Sequence, residues 1–318
     1  MDSVGREPCS GTPVRFAAGD GTPLGGFLWR HAAADRVCPI AVIAPATSVR
    51  CRYYARFASF LSEAGFDVLT FDYRGIGESR PINLRGFKAG WVDWGAHDVE
   101  AALDFAMRLS PGAPLDIVAH SIGGVALGLA PSAARARRIL TVGSQFAHWR
   151  DYAPAQRRAM VLRWHVLMPL LARLCGYVPA RRLGWMEDTP AGVARDWSCM
   201  GPCFEESVSP GPLGKIDILQ RFAAIHAPIL AIGLDDDPFG TVPAIERLLA
   251  YFPAGARTHL RLAPGDLGVE EIGHFAAFHD RFRSSLWPLM RDWLLAGTLA
   301  GAHPGRILPL PDQVAEKR

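Results

Sequence analysis

The run Leu115-Asp116-Ile117-Val118-Ala119-His120-Ser121-Ile122-Gly123-Gly124 leaves the backbone little choice. An apolar strand delivers a serine flanked by small side chains, and a helix-like segment, Val125 to Ala130, follows at once. A strand that passes into a helix at a serine is the form of a nucleophile elbow. The turn is so tight that the serine backbone is strained and its hydroxyl projects into open space. Close backbone approach demands small residues two positions before and two after the serine. Gly123 meets the second demand, and Ala119 stands at the first, where glycine is more usual.

A serine hydroxyl is a poor nucleophile at neutral pH unless a base takes its proton and a carboxylate orients that base. With an elbow of this kind the partners are expected in the order serine, acid, histidine, each on a loop after a later strand. Ala227 to Leu234 reads as a buried strand of continuous apolar residues. It runs into the carboxylate-rich turn Asp235-Asp236-Asp237-Pro238-Phe239. A further strand, Arg257 to Leu262, precedes a loop that ends in Ile272-Gly273-His274-Phe275. Ser121, an aspartate near 237 and His274 therefore occur in the required order, each just past an expected strand.

Upstream, Pro39 to Ala44 is an apolar strand followed by the small-residue turn Pro45-Ala46-Thr47-Ser48. Gly65 to Phe71 is another, closed by Asp72-Tyr73-Arg74-Gly75-Ile76-Gly77-Glu78-Ser79. With these motifs in place, residues 12–295 resemble the α/β-hydrolase superfamily, and within it serine hydrolases that carry a helical cap. The pairing of Asp-Asp-Pro-Phe with Ile-Gly-His-Phe is similar to a bacterial group of serine esterase or aminopeptidase type. The resemblance implies a mostly parallel central sheet with helices on both faces and an inserted cap. It implies no particular substrate.

The alternation of strand and helix signals up to Gly143 agrees with such a sheet. Residues 12–30 read as an opening hairpin, Tyr53 to Gly65 and Asp98 to Leu109 as amphipathic helices. After Gly143 the alternation stops, and tryptophans, amphipathic stretches and Pro/Gly breaks take over. The division is a first part of the core at 1–146, a helical cap at 147–214, a second part of the core at 215–300, and a tail at 301–318. The Pro-rich, charged tail is expected to be poorly ordered.

Composition narrows the partners. Net charge is +3, and all but three of the 34 basic residues are arginine, which reads as a codon-composition effect. The clusters Arg135-Ala136-Arg137-Arg138, Arg157-Arg158 and Arg181-Arg182 are short and separated, so they read as solvated faces and no nucleic-acid partner is expected. The longest apolar run, Met160 to Leu174, is broken by Arg163, His165 and Arg173 and is too short to span a bilayer. Met1 to Glu7 lacks the pattern of a signal peptide. The six cysteines (Cys9, Cys38, Cys51, Cys175, Cys199, Cys203) lack zinc-type spacing, so free thiols in a cytoplasmic protein are expected. With no metal-ligand cluster or dinucleotide fingerprint in the sequence, no cofactor is expected.

The candidate catalytic residues are Ser121 as nucleophile, His274 as general base and Asp237 as the orienting acid. His279, His226 and His120 are weaker rivals for the base, and His120 is expected to point away from its neighbour Ser121. Among the acids, Asp235 and Asp236 remain alternatives that would otherwise solvate the turn or cap the helix near Pro243. Asp237 leads because the resemblance implies a carboxylate directly before a proline or small apolar residue. For the oxyanion hole, the backbone N–H of Ile122 is one expected donor. The second comes from the turn after the Pro39–Ala44 strand, where the family often carries His-Gly. Here Thr47 is the first choice and Ala46 the alternative. Asp72, Arg74, Gly75, Gly77 and Ser79 read as structural. Trp149, Trp164, Trp185 and Trp197 are candidates to line an apolar acyl pocket.

These residues point to a serine hydrolase that cleaves a carboxylic ester, thioester or amide through an acyl-enzyme. Two alternatives stay open: an acyltransferase or biosynthetic offloading enzyme using the same intermediate, and a lapsed enzyme that binds a small molecule unchanged. A small ester or acyl compound is the expected partner, and pairing of two copies through the cap is left open.

Overall fold

In β3 (Ile40–Ala44), β5 (Leu115–His120) and β9 (Ile229–Leu234) every residue is buried. Largely aliphatic strands reach that state in a parallel sheet covered on both faces. The computed structural model describes residues 11–32, 37–209 and 213–310. Its main sheet has nine strands. Besides those three, they are β1 (Thr12–Ala17), β2 (Pro23–Trp29), β4 (Asp67–Phe71), β6 (Arg138–Val142), β10 (Arg257–Leu262) and β11 (Arg306–Leu308). Their order is β1-β2-β4-β3-β5-β6-β9-β10-β11. From β4 to β10 neighbouring strands run parallel, and β1, β2 and β11 are antiparallel to their partners. This is the α/β-hydrolase arrangement. The parallel strands send their loops off one edge, where the chain order reverses around β3 and a crevice forms.

One face of the sheet is covered by a core that includes Trp91, Trp94, Val125 and Phe146, the other by one that includes Phe57, Phe278 and Trp287. The helix Ala55–Glu63 lies on the second face, and the helix Glu100–Leu109 on the first. The latter is preceded by helical turns from Trp91 onward, so helix begins seven residues before Asp98. Its early start is capped from far away, because the Asp196 carboxylate accepts the Trp91 N–H at 2.8 Å.

Between β6 and β9 the chain leaves the sheet. Residues 157–175 form one continuous helix, Leu162–Leu167 winding with π spacing, and Ala191–Ser198, Phe204–Ser207 and Lys215–Ala223 follow. The segment also carries a feature that a purely helical reading misses: β7 (Tyr177–Val178) and β8 (Thr189–Pro190) pair as a separate antiparallel ribbon. Two-residue strands leave no periodicity to detect.

The expectation of a poorly ordered tail needs correction for residues 301–310 as well. β11 pairs with β10, and the Arg306 guanidinium binds the Asp235 carboxylate at 3.0 Å. The order there rests on an ion pair and sheet bonds, not on apolar spacing. Cys9, the N-terminal stretch and the tail from 311 onward lie outside the described residues. Among the described residues, Cys51, Cys175, Cys199 and Cys203 are free thiols, and no helix is long and apolar enough to cross a membrane.

The turn after β4 is pinned by buried carboxylates. Asp72 accepts the N–H groups of Cys51 (2.6 Å) and Glu78 (2.8 Å). A Cβ on Gly77, at φ +43°, would strike the Asp72 carboxylate. Arg74 is gripped by Asp98 at 2.7 Å and Asp20 at 2.6 Å. Burial pushes the Asp98 carboxyl up to about 7 against the pull of Arg74. Arg74→Ala is therefore expected to lower stability by about 3 kcal/mol, the low end for breaking a buried pair, because Asp98 can take up a proton. A raised carboxyl pKa costs stability increasingly as pH rises, so urea denaturation should show a smaller loss at pH 6 than at pH 8.

Candidate active site

Ser121 sits at the end of β5 with φ +54°, a conformation that costs a non-glycine residue about 1–2 kcal/mol. Its N–H donates to the Val142 carbonyl at 3.0 Å, which ties the turn to β6. The helix Gly123–Gly128 starts two residues later. A Cβ on Gly123 would lie 2.4 Å from the Ala44 carbonyl oxygen, so the small residue is a steric requirement of packing against β3.

His274 Nε2 is 2.9 Å from Ser121 Oγ, and its Nδ1 is 2.7 Å from Asp237 Oδ2. A carboxylate only accepts, so Nδ1 carries the proton and Nε2 accepts from the serine hydroxyl. Asp237 is fully enclosed and also accepts the Phe239 N–H at 2.8 Å. Burial pushes its carboxyl up, but the His274 charge and hydrogen bond, with the Gly240 and Phe239 amides, outweigh that and hold it below the ordinary range. It thus stays an anion beneath the imidazole. A Cβ on Gly143 (φ +56°) or Gly240 would come within 2.8 or 2.5 Å of the Asp237 carboxylate. Two glycines that carry no sequence motif therefore make room for the pair.

The three consecutive aspartates take three different tasks. Asp235 is bound by Arg261 (2.8 Å) and Arg306. Asp236 accepts the N–H groups of Ile272 (2.7 Å) and Gly273 (2.9 Å), fixing the loop that presents His274. Neither merely solvates the turn, and the helix Val242–Leu249 has Thr241 as its N-cap residue.

The turn after β3 is equally constrained. The Ala46 N–H donates to the Tyr54 hydroxyl at 2.9 Å, and Tyr73 donates to the Pro45 carbonyl at 3.1 Å. Thr47 borders the same cavity as Ser121 and His274, and its N–H makes no hydrogen bond among the described residues. The same is true of the Ile122 N–H beside the serine.

His120 points away from Ser121, as expected, yet it belongs to the site. Its Nε2–H donates to the His274 carbonyl at 2.9 Å, and its Nδ1 accepts from the Tyr54 hydroxyl at 2.8 Å. One line of hydrogen bonds thus runs from the Ala46 amide through Tyr54 and His120 to the His274 backbone. The other rivals, His226 and His279, do not contact Ser121.

Above the serine lies a cavity of about 350 Å³ lined by Thr47, Met160, Trp164, Trp185, Met186, Trp197, Phe239 and Phe275, with Gln156 and Arg163 at its polar side. Trp164 stacks on Trp197 at 4.9 Å and meets Trp185 edge-on at 5.5 Å. Tyr152 holds this wall in place, accepting from Trp197 Nε1 at 3.0 Å and donating to His165 Nε2 at 3.1 Å. Trp149, the fourth tryptophan expected here, lies on the surface instead and does not line the cavity. A buried hydroxyl hydrogen-bonded to a base, beneath an apolar cavity, can add to a carbonyl group.

Residues 39–260 match the family model described as serine aminopeptidase, S33. No curated protein matches the sequence. Among solved structures, a soluble variant of monoglyceride lipase from Saccharomyces cerevisiae, in complex with a substrate analogue, superposes with a TM-score of 0.63 at 15% identity, over 94% of this chain and 99% of that one. Est1E from Butyrivibrio proteoclasticus gives 0.53 at 15% identity, over 90% and 98%. An esterase domain from Rhodothermus marinus gives 0.54 at 16%, over 88% and 96%. At these identities the likeness establishes the fold alone.

Burial, then the His274 charge, lowers the His120 pKa to about 3 from 6.5. Between those values the unfolded chain binds a proton that the folded one refuses, so stability drops as pH is lowered, by up to about 1.4 kcal/mol per pH unit. His120→Gln should be less stable at pH 7 but lose less stability between pH 6 and pH 4. Parallel thermal-melting profiles for the two proteins would contradict the placement of His120.

Proposed function

This chain belongs to the S33 serine aminopeptidase family of hydrolases, and from that premise we propose that it cleaves a carboxylic ester through an acyl-serine intermediate. The observation that carries this reading is the hydrogen-bonded line Asp237–His274–Ser121 at the floor of an apolar cavity. Ser121 Oγ attacks the carbonyl while His274 Nε2 takes its proton, and Asp237 steadies the resulting imidazolium. The same proton then passes to the leaving alkoxide, and water, deprotonated by His274, releases the acid. The N–H groups of Ile122 and Thr47 receive the oxyanion, each worth about 2.7–4 kcal/mol in a preorganised site. The Ala46 amide is engaged by Tyr54, which favours Thr47 for that role. Residues 147–214 serve as the cap over the two parts of the core, 1–146 and 215–300, and Trp164, Trp185 and Trp197 receive the acyl group.

The lining of the cavity supports an ester over the substrate that the family's description names. An aminopeptidase must receive the α-ammonium of its substrate, which calls for a carboxylate or several acceptors in the pocket. Among the described residues no Asp or Glu lines the cavity, and the guanidinium of Arg163 is a cation in its lining. An uncharged apolar acyl group fits this wall better.

Hydrolysis of nitrophenyl esters of graded acyl length, beside aminoacyl nitroanilides, tests the proposal. Esters should be turned over in preference to the anilides. Asp237→Asn should lower kcat by about 10⁴-fold while melting as a folded protein, because the imidazole loses its orienting acceptor. Faster cleavage of the anilides, or near wild-type rates for Asp237→Asn, would contradict it.

A further inference from the structure

The helix spanning residues 157–175 is apolar on two opposite sides. Met160, Trp164, Met168 and Ala172, four residues apart, are buried against the rest of the protein. Leu162, Val166, Leu170 and Leu174 repeat at the same spacing, offset by two residues, and are 53%, 50%, 49% and 72% exposed. An offset of two residues places the second row about 200° around the helix, facing solvent. Single exposed leucines are ordinary, but a row of four along one helix face is a patch that calls for a partner.

The charge around that row identifies the partner. Between Asp151 and Glu187 the chain has six arginines and no acid. The two bounding acids are engaged by Arg247 and Arg50. Arg158, Arg163, Arg173 and Arg182 make no ion pair among the described residues, while Arg181 reaches Glu187 only at 3.7 Å. Arg163 and Arg173 each sit one residue from the apolar row, so they flank it about 100° to either side. Leucines on the outer face with arginines along the flanks are the pattern of a helix that lies in the headgroup region of an anionic bilayer. A second copy of the chain would set one acid-free basic face against another. A nucleic acid would leave the leucines without an apolar partner.

The position of the helix gives the surface a use. Ala159 and Arg163 border the cavity from this same helix and Gln156 from the position just before it, while Gly184 and Trp185, directly after Arg181, Arg182 and Leu183, border it as well. We infer that residues 157–183 form a docking face for an anionic lipid surface, with the cavity mouth opening beside it. The inference goes beyond the proposed hydrolysis, since adsorption requires no reactive serine.

Flotation of the full-length chain with vesicles of phosphatidylcholine alone, or of phosphatidylcholine mixed with phosphatidylglycerol, tests it. Wild type and Ser121→Ala should both float with the mixed vesicles, with little binding to the neutral ones. Binding should fall as salt shortens the screening length from about 10 Å at 0.1 M to about 3 Å at 1 M. Leu170→Gln/Leu174→Gln and Arg173→Glu/Arg182→Glu change surface positions outside the cavity lining. Each double variant should reduce partition by about tenfold or more, with circular dichroism and turnover of a soluble ester unchanged. Equal flotation of wild type and both variants, no binding to mixed vesicles, or a dimer that Leu170→Gln/Leu174→Gln dissociates would each overturn it. Because Ser121→Ala is assayed for binding alone, failure of the hydrolytic reading would leave this result unaffected.

Discussion

The constraint on which the site depends is the left-handed backbone of Ser121, squeezed between two strands. That turn turns the hydroxyl out from the sheet edge, and it is possible because Gly123 lets the following helix rest against the Ala44 carbonyl. Once the turn is made, His120 is driven to the opposite side, under the loop that bears His274. There its ring, through Tyr54, joins the loop after β3 to the loop after β10. Loops are the mobile parts of such a sheet, and these two have no covalent reason to keep their spacing. A fully buried, neutral imidazole with both nitrogens satisfied supplies one.

Much of the fold was legible because its strands are long aliphatic runs and its helices amphipathic. Ser121, Asp237 and His274 stood out for a related reason: each follows such a run, in one order. What escaped the sequence lies in contacts between distant residues. Thr47 was the first choice over Ala46 already, but the Tyr54 hydroxyl that engages the Ala46 amide was not visible in the sequence. The tasks of Asp235 and Asp236 depended on Arg306 and on the 272–273 amides, beyond any local pattern. Gly143 and Gly240 carry no motif, and only the carboxylate packed against them explains their size. Trp149 looked like its fellow tryptophans until burial separated it from them. Residues 301–310 of the tail were misread because their order comes from an ion pair and a strand edge, which composition does not register.

The segment between β6 and β9 shows how one helix serves two environments. Its inner row of Met160, Trp164 and Met168 packs over the core, and Trp164 also walls the cavity. Its outer row and the arginines beside it have no such partner among the described residues. Of the arginines in this segment, Arg163 borders the cavity, and Arg181 and Arg182 precede the bordering Gly184 and Trp185 in the chain. A hydrogen-bonded serine, histidine and aspartate at the sheet edge are thus paired with a segment that walls the cavity above them with apolar side chains.

The central claim is that Ser121 is an activated nucleophile, and covalent labelling tests it most directly. The native chain and Ser121→Ala would be treated with a fluorophosphonate and examined by intact mass and peptide mapping. One adduct per chain, on the peptide containing Ser121 and absent from the variant, is the predicted result. A folded wild-type chain that takes up no adduct, or carries it on another residue, would contradict the claim.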